Sequence, residues 1–114
     1  MKRVLSIILT AVVLLGLAAC AANKPEFMDA ESYKYASSAL KIMEAYSDGE
    51  TGKTETLEKL EPVLSNLKAV KTSTDLEKLY RDGSVMRIEN FIWHMKDGAA
   101  TKDDVKSLKE YITR

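Results

Sequence analysis

Residues 54–70, TETLEKLEPVLSNLKAV, set the fold class of this chain. Leu57, Leu60, Leu64 and Leu67 recur at intervals of 3, 4 and 3, which places them along one narrow stripe of an α-helix. Glu55, Glu58, Lys59 and Lys68 fall outside that stripe. The pattern lasts two heptads, too short for a free-standing coiled coil, so the leucines need other helices to cover them. Pro62 interrupts the run. It removes one backbone hydrogen bond and crowds the carbonyl of Glu58, which predicts a kink or a break there.

The flanking segments carry the same period. Upstream, Asp29 reads as an N-cap with Glu31 in the first turn. Ala36, Ala39, Leu40, Met43 and Tyr46 then share a face, widened by Tyr35 and Ile42. Asp48-Gly49 ends that helix near residue 47, and Gly52 extends the turn. Downstream, Thr74-Asp75-Leu76-Glu77 has the form of a capping box. The helix it opens is expected to weaken at Asp82-Gly83-Ser84, after two turns. A richer apolar stretch follows, with Val85, Ile88, Phe91, Ile92 and Met95 on a core face and Met86 and Trp93 beside it. Asp97-Gly98 closes that stretch. Thr101 with Asp104 repeats the capping pattern before a last stripe of Val105, Leu108, Tyr111 and Ile112.

No segment after residue 28 alternates with period 2. The expectation is an all-α domain over residues 29–114, a compact bundle of four to five short amphipathic helices with antiparallel neighbours.

The first 19 residues are of another kind. Lys2 and Arg3 precede an uncharged apolar run, and small residues end it, as in a secretory signal. Leu17-Ala18-Ala19-Cys20 then supplies an aliphatic residue, two small residues and the one cysteine of the chain. This resembles the lipobox of bacterial lipoproteins at every position. The resemblance implies cleavage before Cys20, a diacylglyceryl thioether on its sulfur, and acylation, as by palmitate, of the new amino group. It implies a domain held on the extracytoplasmic side of the cell envelope by lipid. Residue 21 is Ala rather than Asp, which in a two-membrane bacterium implies the outer membrane. Residues 20–28 are then the lipidated cysteine and a short tether containing Pro25.

Removing residues 1–19 leaves 95 residues with 15 basic and 17 acidic side chains. No basic excess is available to neutralise phosphates, so nucleic acid is not an expected partner. With Cys20 lipidated no thiol is left for a disulfide, and helix packing has to supply the stability.

Catalytic and metal patterns fail on inspection. Gly52-Lys53-Thr54 lacks the earlier glycine and the strand of a phosphate-binding loop. A calcium loop counted from Asp48 puts Lys53 and Lys59 where Gly and Glu belong. His94 is the single histidine and has no second histidine or thiol to work with. Glu55, Glu58 and Glu61 read as a solvated first-turn face, with lysines interleaved. No cofactor or metal is expected, and no enzymatic activity. The expected role is a membrane-anchored binding module for another envelope protein or a peptide, with Trp93, Phe91 and Met86 as the binding residues. Two other roles fit the same helices. One is carriage of a small hydrophobic ligand between them. The other is self-association, as a homodimer through the Leu57–Leu67 seam.

Overall fold

A computed structural model describes residues 24–113. Residues 1–23, which include the expected signal segment and Cys20, and residue 114 lie outside the described residues. Four helices follow one another: α1 (Ala30–Ser47), α2 (Lys53–Ala69), α3 (Asp75–Lys96) and α4 (Lys102–Ile112). Each pair is joined by a five-residue connection, short enough to force antiparallel neighbours. α1 touches all three other helices, whereas α2 and α4 stand apart. The described chain is all-α, a small helical bundle. None of its described helices is long and apolar enough to cross a membrane.

Local chemistry sets most of the helix ends. The Asp29 carboxylate accepts from the Ser32 amide at 3.0 Å. Thr74 Oγ1 accepts from the Glu77 amide at 3.1 Å, and Glu77 Oε1 accepts from the Ser73 amide at 3.3 Å. α1 and α3 both finish on a left-handed glycine, Gly49 at φ 80° and Gly98 at φ 73°. Beyond each, the chain donates back to the last turn: Glu50 to the Ala45 carbonyl at 2.8 Å and Ala99 to that of His94 at 2.9 Å. These are paired C-terminal caps, which only glycine enters without strain.

The core forms where the four apolar stripes meet. Met43 from α1, Leu60 and Leu67 from α2, Ile88, Phe91 and Met95 from α3, and Leu108 from α4 have no exposed surface. Ala36 and Ala39 are equally buried, and their small side chains let α1 sit centrally. Phe91 meets the Tyr46 ring edge-on, with centroids 5.8 Å apart.

Five expectations need correction. First, α3 does not weaken at Asp82-Gly83-Ser84 but runs unbroken for 22 residues. Gly83 is there for packing: a Cβ would lie 2.2 Å from the Tyr111 hydroxyl of α4. Second, of the kink or break expected at Pro62, the break does not occur: α2 continues through it. The proline and Glu58 both face solvent, so the carbonyl that loses its amide partner can bond to water. Third, Thr101 caps nothing with its side chain. Its hydroxyl pairs with that of Ser47 at 3.0 Å, and Asp104 is bonded to His94. Fourth, the Leu57–Leu67 seam mostly faces inward, with Leu60, Leu64 and Leu67 buried and Leu57 partly buried, so it presents little surface to a second copy. Fifth, the folded unit begins before Asp29. Met28 is 1% exposed and belongs to the core. Its carbonyl accepts from Lys24 Nζ at 2.7 Å, and its amide donates to the Pro25 carbonyl at 3.1 Å. Residues 24–28 are thus a packed turn rather than a free tether.

Candidate functional site

An unbroken α3 brings together residues that the sequence had seemed to separate. Seven residues make just under two helical turns, so residues at that spacing stack along one line. Leu79, Met86 and Trp93 stand at this spacing and are 61%, 52% and 71% exposed. Ser84, Ile88, Phe91 and Met95 are buried on the opposite side of the same helix. The stripe spans about 21 Å at 1.5 Å per residue. Three large apolar side chains therefore line the solvent face of one helix, diametrically away from the core.

At its far end, Trp93 borders a shallow groove between α2 and α3, lined by Leu64 and Ile92 with Glu61, Glu89 and Lys96 at the rim. Glu89 is held by Lys68 across the groove at 3.3 Å, with both side chains about half exposed. At the other end, Asp82 is bonded to Nε and Nη2 of Arg81, each at 3.0 Å. Glu89 and Asp82, on the flank of the stripe, are thus each paired with a cation.

Of the expected binding residues, Trp93 and Met86 are on this surface. Phe91 is not: it is fully buried against Tyr46 and the other core side chains. The three-four spacing that buries Ile88 and Met95 turns Phe91 inward with them. Leu79 is the member that sequence reasoning missed. Its signal was the seven-residue interval to Met86, hidden by the expected weakness at Gly83.

His94 acts as a fastening in its observed contacts. Its Nδ1 lies 2.7 Å from Asp104 Oδ2, which ties the last turn of α3 to the first turn of α4. Among the described residues, no three of His, Asp and Glu gather closely enough to hold a metal ion. Glu55, Glu58 and Glu61 are all exposed, and Glu55 pairs with Lys59 at 3.1 Å. Gly52 is the residue that precedes α2, and α1 rather than a strand lies before it.

A second group of aromatic residues lies where the described chain begins. Pro25 and Phe27 share a groove with Tyr80 of α3 and Tyr111 of α4. The two phenol rings are tilted 32° with centroids 5.1 Å apart, and the Arg87 guanidinium lies 3.7 Å above the Tyr111 ring. Burial raises the Tyr111 pKa above its ordinary value, against the opposing pull of Arg87. No family model, curated protein or solved structure matches this chain.

Proposed function

We propose that this chain is a lipid-anchored, non-enzymatic binding module of the bacterial cell envelope. It engages another envelope protein or a peptide through the outer face of α3. Cys20 carries the lipid, as the lipobox Leu17-Ala18-Ala19-Cys20 implies, and membrane attachment needs no spanning helix in the folded domain.

The observation that carries the binding role is the Leu79–Met86–Trp93 stripe. Burying one such side chain is worth about 1.5–3 kcal/mol. Three left in water at about 10 Å intervals along one helix face form an apolar row, and exposed apolar groups gathered on one face mark interaction sites. Tryptophan is also a preferred anchor of such sites. The seven-residue spacing suits a helical segment lying along α3.

The same spacing favours one competing occupant, the α3 stripe of a second copy. The hydrophobic-ligand role has less support, because the space between the helices is filled by Met43, Leu60, Phe91 and their neighbours.

A photo-crosslinking residue placed at position 93, and at exposed position 58 as a control, tests the proposal in cells. A recurrent protein adduct at 93 that is absent at 58 and lost on Met86→Ala supports it. Adducts only between copies of the chain assign the stripe to a homodimer. Equal adducts at both positions reject the stripe as a specific surface.

A further inference from the structure

We propose that one end of the bundle rests in the membrane interface through Phe27 and Leu76, and so holds the Trp93 end of the α3 stripe away from the bilayer. This rests on the lipid-anchor reading of Cys20 and adds the orientation of the domain.

The two ends of the bundle are well defined. At one end, Arg81 Nη1 donates to the Val70 carbonyl at 2.6 Å, and the Tyr111 hydroxyl donates to that of Leu79 at 3.3 Å. Pro25 and Phe27, just before α1, share a groove with Tyr80 and Tyr111, so the start of α1, the end of α2, the start of α3 and the end of α4 lie together. The opposite end holds the Ser47–Thr101 and His94–Asp104 pairs. The described chain begins at the first of these ends, where Lys24 is bonded to Met28.

Only residues 21–23 separate Cys20 from Lys24. Fully extended, those four steps reach roughly 13–14 Å. The lipid thus holds this end within that distance of the headgroups.

The surface at this end suits a lipid interface. Phe27 is 47% exposed and Leu76 is 46% exposed. Phe27 borders the groove of Tyr80 and Tyr111, and Leu76 lies one turn before Tyr80 on α3. Phenol rings are favoured at membrane interfaces, where the ring meets apolar chains and the hydroxyl meets water. Glu26 and Glu110 also border the groove, so the contact does not depend on anionic lipids. Trp93 is 17 residues further along α3 than Leu76, which lifts it about 25 Å along the helix axis.

Trp93 is the only tryptophan in the chain, which gives a direct depth probe. The full-length protein, isolated from membranes, is reconstituted into phosphatidylcholine vesicles with and without brominated acyl chains. Three proteins are compared: the native chain, Phe27→Trp with Trp93→Phe, and Leu76→Trp with Trp93→Phe. Tryptophan at 27 and at 76 should lose roughly half its emission to bromine, and Trp93 should lose little. If one variant loses its helical circular dichroism, the other carries the test.

Vesicle flotation and the mass of the N-terminal peptide are measured on the same samples. Protein that floats with an acylated Cys20 but shows no quenching at 27 or 76 overturns this orientation alone. Trp93 quenched as strongly as the other two overturns it as well, because α3 would then lie flat on the bilayer. Protein that neither floats nor carries acyl chains overturns the anchor and the orientation together.

Discussion

The ring of Tyr111 lies against the backbone of Gly83, so closely that a Cβ there would stand 2.5 Å from the Tyr111 Cζ. A glycine inside an exposed helix costs about 1 kcal/mol relative to alanine. Here it makes room for a residue of α4. Gly83→Ala should therefore gain nothing, or lose stability, in the native chain, where the new methyl displaces the ring. In a Tyr111→Ala background the same change should stabilise by about 0.5–1 kcal/mol. Chemical denaturation of the four proteins of this cycle measures the coupling. Additive changes would mean that the contact does not constrain position 83.

The two sides of α3 should respond oppositely to truncation. Phe91→Ala removes a fully buried ring and should cost about 3–5 kcal/mol, enough to unfold much of a domain this small. Trp93→Ala and Met86→Ala should change stability by no more than about 0.5 kcal/mol, while Met86→Ala abolishes the adduct formed from position 93. A large loss of thermal stability in the Trp93 variant would place its side chain in the core instead.

Met28 extends the packed core to before Asp29. Met28→Ala should cost about 2–5 kcal/mol, as for other buried methionines. Correspondingly, a chain starting at Lys24 should melt with the native cooperativity, and one starting at Asp29 should be markedly less stable. Equal melting temperatures for these two chains would show that residues 24–28 are dispensable to the core.

Tyr111 gives the domain an alkaline limit. Its folded pKa is raised above 10.0, chiefly by burial, so folding favours the neutral phenol. That contribution is fully present below the unfolded value and is lost as pH rises through the folded one. Stability should fall above about pH 10, and Tyr111→Phe should flatten part of the fall. A urea midpoint equally steep in pH for both proteins would remove Tyr111 as the cause.

What could be read from the sequence was what depends on near neighbours. Asp29, Thr74 with Glu77, and the glycines at 49 and 98 act on residues within one turn, and their roles are visible in order along the chain. Gly83 looked like a helix breaker because its reason, Tyr111, lies 28 residues away. That one misreading also separated Leu79 from Met86 and Trp93, and left the binding stripe one residue short. Thr101 and Asp104 have the right types and spacing for a cap. Two distant residues, Ser47 and His94, engage their side chains first. Phe91, by residue type, suits a core face and a binding surface alike; only the packing of α3 on Tyr46 decides for the core.

The envelope location and the orientation of the domain both rest on Cys20. The most direct test is mass spectrometry of the N-terminal peptide of the full-length protein, isolated from membranes of a bacterium that expresses it. The account predicts a chain that starts at Cys20 and carries a diacylglyceryl group on sulfur and an acyl chain on nitrogen. A chain that retains Met1, or one with a free Cys20 thiol, would contradict it.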